Sequence, residues 1–330
     1  MGPLGAAPFL LNFRRAPFYF ARMDDRRALI EELARLGTEQ VNENTVDIDR
    51  LPALEIVRII NAEDRKVAAV VERALPEIAR AAEIYAAVLR AGGRVFSIGA
   101  GTSGRLGVLD AAECPPTFGT DPARIIGVIS GGYDTLVLSQ EGVEDRADAA
   151  AADLQRHGLG PGDFVIGLAA SVRTPYTRAG LEYARSLGAK TAFLICNDPV
   201  NLPPGLDVVI ALPVGPEVIA GSTRMKSGTA QKMALNMIST AAMVLLGKTY
   251  GNLMVDLQAR SEKLAARSRK ILIDLLRLEY EEADRLLEAA GGSVKTAIVM
   301  QKLKCTAAEA RALLARHGGF VRNVLQQENP

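Results

Sequence analysis

The spacing of apolar residues changes twice along the chain, and each change marks a boundary. Up to residue 89 apolar positions recur every three to four residues, which predicts amphipathic helices over 24–36, 51–73 and 76–89. From residue 94 to residue 246 short apolar runs alternate with helical stretches. Beyond Gly251 the strands stop, and the helical period predicts helices over 262–290, 294–303 and 307–317.

The central stretch predicts an α/β fold. Its apolar runs predict strands over 94–98, 125–129, 164–169, 191–195 and 208–212, separated by helices over 104–112, 136–157, 175–187 and 227–246. Strands that are apolar throughout and alternate with helices are typical of a parallel sheet covered on both faces. We therefore expect a doubly wound parallel sheet over 85–250, preceded by N-terminal helices over 23–84 and followed by a small helical C-terminal domain over 251–330.

Composition argues against several classes of protein. The chain has 39 Lys and Arg against 38 Asp and Glu, a net charge of +1, so a dedicated nucleic-acid binder is not expected. Its 2 histidines lie far apart, which disfavours a histidine-built zinc site and a Ser-His-Asp triad. Its 3 scattered cysteines indicate a reducing cytoplasm. The longest uncharged stretch, 233–247, is about 15 residues and too short to span a membrane.

Residues 1–22 stand apart from this pattern. They are apolar and aromatic, but no basic region precedes the apolar run and no clear small-residue cleavage site follows it, so a secretory signal is not favoured. Met23 begins a charged helical segment. We expect residues 1–22 to be an upstream extension or a mobile arm.

The loop after the first strand has the pattern GxGxxG, from Gly99 to Gly104, and it opens a helix. A dinucleotide-binding loop would need an acidic residue at the end of the second strand, but Ser130 and two glycines stand there. Thr102 and Ser103 add hydroxyls to the backbone N–H groups of the helix start, a combination that suits a phosphate group. A phosphate loop is the favoured interpretation; a dinucleotide loop and a purely structural turn are the alternatives.

Two further strand-to-helix loops, after the third and the fifth predicted strands, carry polar side chains. In the first loop the alternative to ligand binding is simple helix capping by Ser171 or Thr174. In the second it is a solvated helix turn. Because the carboxyl ends of parallel strands meet at one edge of a sheet, we expect all three loops to form a single anion site. The polar residues of these two loops are Ser171, Arg173, Thr174, Glu217, Ser222, Thr223, Arg224 and Lys226.

Three carboxylates are candidates for acid–base chemistry. Glu113 comes just before Cys114 and two prolines, which predict that the helix stops there. The negative end of the helix dipole favours a protonated carboxyl group, as a general acid requires; an exposed helix-end glutamate is the alternative. Glu141 and Glu144 stand one turn apart on the predicted helix 136–157, with Gly142 between them, where a solvated acidic face is the alternative.

Seven segments of the chain resemble the N-acetylmuramic acid 6-phosphate etherase family, and the resemblance runs from about Thr38 to the C-terminus. It implies a sugar-isomerase (SIS) type α/β sandwich with a small helical C-terminal domain, usually as a homodimer. The segments that carry it are Gly99–Asp110, Glu113–Gly119, Gly215–Glu217, Gly221–Lys226, Thr229–Lys232, Leu235–Thr240 and Asn252–Asp256.

The resemblance implies cleavage of the D-lactyl ether of N-acetylmuramic acid 6-phosphate, in recycling of cell-wall sugars, with no metal and no cofactor. Glu113 matches the proton donor of the family and Glu144 its second catalytic glutamate, while Glu141 matches a flanking position without a catalytic role. Which glutamate removes the C2 proton stays open. The residues expected to bind substrate are Gly101, Thr102, Ser103, Arg105, Ser171, Thr174, Glu217, Ser222, Thr223 and Lys226.

The chain departs from the family at three places. Val172 replaces the usual glycine of Ser-Gly-Arg-Thr-Pro, Glu43 replaces the proline of an Asn-Pro pair, and residues 1–22 have no counterpart. If the glycine requires a positive φ or close ligand approach, Val172 would weaken binding or reshape the pocket. A sugar-phosphate-sensing regulatory protein without turnover is therefore an alternative, followed by an aldose–ketose isomerase and, last, an NAD-dependent dehydrogenase.

The position of Glu113 leads to a hypothesis about assembly. Glu113 lies about 14 Å along its predicted helix from Gly104, farther than the sugar's phosphate is from its C2–C3 bond. We therefore expect each active site to be completed across a dimer interface. The expected partners are a small sugar phosphate and a second copy of the chain, with no nucleic acid and no membrane.

Overall fold

The computed structural model describes residues 30–31, 33–257 and 261–328. The chain divides into two units, one ending at Arg35 and one beginning at Leu36. In the first unit the described residues 30, 31 and 33 are helical, within the helix predicted over 24–36. The prediction for residues 1–22 lies outside the described residues.

The second unit is built on a five-stranded parallel sheet in the order β2-β1-β3-β4-β5. Its strands are apolar and almost wholly buried, as a sheet covered on both faces requires. The predicted doubly wound sheet is therefore confirmed. The strands are β1 Val95–Gly99, β2 Ile125–Ile129, β3 Phe164–Leu168, β4 Lys190–Ile195 and β5 Val208–Ala211.

Helices cover both faces of this sheet. One hydrophobic core joins α1, α2, α3 and α6 to the sheet, and the other joins α4 and α5 to it. Their bounds are α1 Ala53–Glu72, α2 Leu75–Arg90, α3 Gly101–Phe118, α4 Ala147–Arg156, α5 Pro175–Ser186 and α6 Lys226–Leu245.

The predicted end of α3 is wrong. The helix does not stop before the prolines but continues through Pro115 and Pro116 to Phe118. Each proline removes one backbone donor, yet Cys114 and Phe118 are buried in the core on this stretch. Gly119, at φ 62°, then ends the helix and donates its N–H to the carbonyl of Pro115. Side-chain packing outweighs the local preference of the prolines.

The long helix predicted over 136–157 is also wrong. The segment after β2 contains two short 3-10 turns, Tyr133–Leu136 and Val143–Asp145, before α4 begins at Ala147. Gly142 has a φ of 81°, which is incompatible with a continuous helix. Glu141 and Glu144 therefore lie on a loop and a 3-10 turn, not on one helix face.

The C-terminal helices share a hydrophobic core of their own. The single helix predicted over 262–290 is two helices, because Arg277 takes a left-handed conformation at φ 56° and ends the first. A two-residue strand, Leu253–Met254, follows Gly251, where no strand was expected. No helix of the described residues is long and apolar enough to cross a bilayer. These elements are β6 Thr249–Tyr250, β7 Leu253–Met254, α7 Glu262–Leu276, α8 Tyr280–Ala289, α9 Val294–Leu303, α10 Ala307–Arg316 and α11 Val321–Gln327.

Candidate active site

A cavity of about 360 Å³ opens at the carboxyl ends of β1 and β3. The strand order reverses between these two strands, which is where open α/β sheets bind ligands. The cavity contains seven of the predicted site residues. Its lining is Thr38, Glu39, Ala100, Gly101, Thr102, Ser103, Ser139, Gln140, Glu141, Glu144, Ala169, Ala170, Ser171, Thr174 and Thr223.

The N-terminus of α3 faces this cavity without a side-chain cap. Its N-cap residue is Ala100, whose side chain has no group to accept a hydrogen bond. The first N–H groups of a helix have no partner inside the helix, so those of Gly101, Thr102 and Ser103 can bind an anion. Gly104 lets the helix start so close to β1, because a Cβ there would come within 2.5 Å of the carbonyl oxygen of Gly99.

The N-terminus of α6, the other predicted anion site, is already occupied by a carboxylate. Glu217 is fully buried and accepts hydrogen bonds from the backbone N–H groups of Lys226 and Ser227, both at 2.9 Å. It also accepts one from Ser227 Oγ at 2.7 Å. Glu217 therefore acts here as the cap of α6 and does not line the cavity.

The ammonium group of Lys226 is likewise engaged within the chain. It lies 2.8 Å from Glu63 Oε2 on α1, with both side chains at least 96% buried. Burial raises the pKa of Glu63, but hydrogen bonds from Lys226 and Lys66 outweigh this effect and lower that pKa to about 2. Of its loop, only Thr223 reaches the cavity, and Ser222 stands outside the lining.

Glu144 brings a carboxylate into the cavity through the loop after β2. Ser130 Oγ, at the end of β2, donates a hydrogen bond to the carbonyl of Val143 at 2.5 Å, which attaches the 3-10 turn to the sheet. Arg105 donates to the carbonyl oxygens of Thr135 and Leu136, so its guanidinium holds this loop against α3. Arg105 is outside the cavity lining and positions the loop that carries Glu144.

Thr38 and Glu39 are cavity residues that the sequence did not single out. Asn197, just after β4, accepts the N–H of Thr38 and donates to its hydroxyl. It also donates to the carbonyl of Ala170, so one side chain joins the segment before α1 to the β3 loop. Glu39 thereby reaches a site that no periodicity indicated, because the neighbouring Thr38 is held by Asn197, a residue 159 positions from Thr38.

Residues 77–185 match a family model described as the glucokinase regulatory protein N-terminal SIS domain. The chain is 48% identical to an N-acetylmuramic acid 6-phosphate etherase of Geobacillus thermodenitrificans, over 89% of this chain and 100% of the relative. It is 54% identical to one of Symbiobacterium thermophilum, over 81% and 89%. A solved phosphoheptose isomerase of Neisseria gonorrhoeae aligns with a TM-score of 0.44 and 16% identity, over 58% of this chain and 98% of that one.

Identity of about one half over nearly the full length of these relatives decides the assignment. The chain belongs to the N-acetylmuramic acid 6-phosphate etherase family. The family predicted from the sequence motifs is therefore confirmed, and with it the class of enzyme, a carbon–oxygen lyase. The regulatory alternative is not favoured, because the relatives of the etherase family extend well beyond the matched SIS segment.

Val172, one of the three expected departures from the etherase family pattern, does not line the cavity. Its side chain is 96% buried in the core formed by α4, α5 and the sheet. Among the described residues a positive φ occurs outside glycine only at Asn201, Arg277 and Lys304, so position 172 needs no glycine for its backbone. The neighbouring Ser171 and Thr174 still line the cavity. The valine is accommodated by packing.

Glu113, the proton donor expected from the sequence motifs, stands outside this cavity. It is exposed on α3, twelve residues beyond Gly101, which places it about 18 Å along the helix axis. One turn earlier on the same helix, Asp110 is buried and accepts hydrogen bonds from Asn236 and Ser239 of α6, at 2.8 and 3.0 Å. Burial raises the pKa of Asp110 to about 6, although both hydrogen bonds favour its charged form.

Proposed function

We propose that this chain, as a member of the etherase family, cleaves the D-lactyl ether of N-acetylmuramic acid 6-phosphate to N-acetylglucosamine 6-phosphate and D-lactate. The observation that carries the proposal is the placement of Glu144 in the same cavity as the uncapped N-terminus of α3. A carboxylate and an anion-binding helix end meet there, as a reaction on a phosphorylated sugar requires.

The phosphate of the substrate would bind at the start of α3. The N–H groups of Gly101, Thr102 and Ser103 meet it there, with the positive end of the helix dipole behind them. Further hydroxyls, of Ser171, Thr174 and Thr223, line the same cavity. The Ser103 hydroxyl donates its one hydrogen to Gln231 Oε1 at 2.9 Å. Its oxygen can still accept a hydrogen bond.

The reaction would proceed by elimination and then hydration. With the sugar open, its aldehyde acidifies the C2 proton, and Glu144 takes that proton as general base. The electron pair of the C2–H bond forms the C2–C3 double bond as the C3–oxygen bond breaks. Glu113 protonates the departing lactyl oxygen, and water then adds to the unsaturated aldehyde at C3. The division of roles between the two glutamates is part of the proposal.

The separation along α3 requires Glu113 to come from a second copy of the chain. The surface around it supports a homodimer, because Leu109 on the same face of α3 is 48% exposed and Met237 and Val244 on the adjoining α6 are 36% and 46% exposed. Beside the cavity, Val137 and Leu138 are also exposed on the loop after β2. Large apolar side chains that cluster on a surface mark an interaction site.

An assay of D-lactate release from N-acetylmuramic acid 6-phosphate tests the activity. We expect release by the wild type, and a loss of at least a thousandfold in both Glu113→Gln and Glu144→Gln. Exchange of the C2 proton for solvent deuterium separates the two roles: Glu113→Gln should keep the exchange and Glu144→Gln should lose it. Exchange that survives in Glu144→Gln would refute its assignment as the base.

Mixed dimers test the shared site. Glu113→Gln subunits combined with Glu144→Gln subunits should recover up to about one quarter of wild-type activity, because half of the dimers are mixed and each has one intact site. Verified mixed dimers with no recovered activity would contradict the assembly.

We also place the reaction in the cytoplasm, since Cys114, Cys196 and Cys305 are all free thiols.

A further inference from the structure

A second cavity, of about 380 Å³, lies at the opposite edge of the sheet from the candidate active site. Arg124, which lines it, directly precedes β2, so this is the amino edge of the strands. Residues that follow α3 and α6 form one wall, and residues of the C-terminal helical region form the other. The lining is Leu89, Gly119, Thr120, Asp121, Arg124, Leu246, Lys248, Asp256, Lys295, Gly318 and Gly319.

Positive charge is in excess in this cavity. Lys248 Nζ and Lys295 Nζ both lie 2.9 Å from the same atom, Asp256 Oδ2. Arg124 adds a third cation, which donates hydrogen bonds to the carbonyl oxygens of Leu89 and Gly93. The second carboxylate, Asp121, is exposed and accepts the N–H of Ala123. Three cations thus face two carboxylates, of which one is shared between two lysines.

Lys295 is the cation that local structure does not explain. Arg124 and Lys248 lie beside the C-terminal ends of α2 and α6, where cations are favourable. Lys295 is the second residue of α9, at the positive end of that helix, and its side chain is 92% buried. Burial lowers the pKa of Lys295, although Asp256 works against this effect. A buried ammonium at a helix N-terminus requires more negative charge than half of one carboxylate.

Thr120 supplies an independent indication of a ligand. It is 93% buried, belongs to the lining of the cavity and directly follows Gly119, the C-cap of α3. Within the described part of the chain its hydroxyl has no hydrogen-bond partner. A buried hydroxyl without a partner destabilises a fold, so such groups call for an explanation. An oxygen of a bound ligand would accept this hydrogen bond.

We propose that this second cavity binds a small phosphate-bearing dianion between Lys248, Lys295 and the hydroxyl of Thr120. The phosphate oxygens replace the missing negative charge beside the two lysines and receive the hydrogen bond of Thr120. The volume of the second cavity lies within the range of small-molecule sites, and Leu89 and Leu246 offer an apolar wall to the carbon skeleton of a ligand. The site is separate from the catalytic residues but touches the end of α3, the helix that carries Glu113.

Equilibrium dialysis of the full chain against labelled inorganic phosphate at pH 7.5 tests the proposal. We expect two sites per chain. Lys248→Ala and Thr120→Val should each weaken one of them about tenfold or more, while Thr102→Val weakens the other. Lys270→Ala is the matched control, because it removes one lysine from an exposed ion pair with Asp274 and should change neither site. Thr120→Ser keeps the hydroxyl and should bind as the wild type does.

Thermal unfolding in phosphate-free buffer is the stability control for Thr120→Val. Removal of a buried unpaired hydroxyl should leave the midpoint unchanged or raise it, so weaker phosphate binding cannot be ascribed to damage. Two outcomes would overturn the proposal: a single phosphate site that Thr102→Val abolishes, or a second site that neither Lys248→Ala nor Thr120→Val affects. Lactate release in phosphate-free buffer should persist in both variants, which separates this test from that of the etherase function.

A second arm identifies the source of the phosphate. A hexose 6-phosphate that competes for the site more strongly than inorganic phosphate does, with the advantage lost in Leu246→Ser, would assign a sugar phosphate. Equal or weaker competition would assign inorganic phosphate.

Discussion

Lys226 Nζ and Glu63 Oε2 lie 2.8 Å apart, although the two residues are 163 positions apart and both side chains are buried. The pair ties the start of α6 to α1. A lysine in a hydroxyl-rich loop is a natural candidate for a phosphate ligand. Here its charge is balanced by Glu63 inside the chain. The proposed phosphate site is therefore the N-terminus of α3 and not this loop.

We predict that Glu63→Gln lowers the free energy of unfolding by about 3–5 kcal/mol at pH 7, because Lys226 is then buried without its carboxylate. Glu55→Gln, in an exposed ion pair of the same helix, is the control and should cost less than about 1 kcal/mol. The pKa of Glu63 is lowered from 4.5 to about 2, so its stabilisation is present above pH 4.5 and lost as the pH falls towards 2. Urea unfolding should therefore show the difference shrink in acid.

Asp110→Asn should have the opposite pH dependence. The pKa of Asp110 is raised from 3.8 to about 6, so its stabilising effect is fully present below pH 3.8 and is lost as the pH rises through 6. The amide resembles the protonated acid and stays neutral. Relative to the wild type, the variant should gain up to about 3 kcal/mol in free energy of unfolding between pH 4 and pH 8. Asp274→Asn is the exposed control; a flat difference for Asp110→Asn would contradict the raised pKa.

Gly142 precedes the turn that carries Glu144 and has a φ of 81° with open space around its Cβ position. Gly142→Val should cost about 1–2 kcal/mol from backbone strain alone. We expect the loop to relax and the kcat for lactate release to fall at least tenfold. Gly142→Asn tolerates the left-handed conformation and should retain most activity, while Gly160→Ala, at an open site without positive φ, should change neither property. Equal activity of the valine and asparagine variants would refute this role.

Val172→Gly introduces the glycine expected from the family pattern and should nevertheless destabilise the protein. Removal of a 96% buried valine leaves a core cavity and adds backbone freedom, together about 2–4 kcal/mol of lost stability. Because Val172 does not line the active-site cavity, the KM for N-acetylmuramic acid 6-phosphate should change less than threefold. A glycine variant that binds substrate at least tenfold more tightly would show that the valine restricts the site.

Regular elements followed from the sequence wherever burial and local spacing agree. The five strands are apolar runs buried on both faces, so each can be recognised from its own residues alone. Each lies within two residues of its predicted position. The GxGxxG loop was recognisable for the same reason, since a strand, a glycine turn and a helix start are contiguous. The motifs also identified the etherase family, because long strings of residues carry more information than any periodicity.

Tertiary structure decided the rest. Only the fold shows that Glu217 caps α6 and that Lys226 pairs with Glu63. The spacing of residues along the sequence does not reveal such long-range hydrogen bonds. Only the fold carries α3 through two prolines, where buried Cys114 and Phe118 outweigh the lost donors. Glu39 and Thr120 likewise gain their significance from segments far away in sequence. The sequence determined which elements form, since propensity and apolar period are local; long-range packing and electrostatics decided which of its polar residues remain free to bind a ligand.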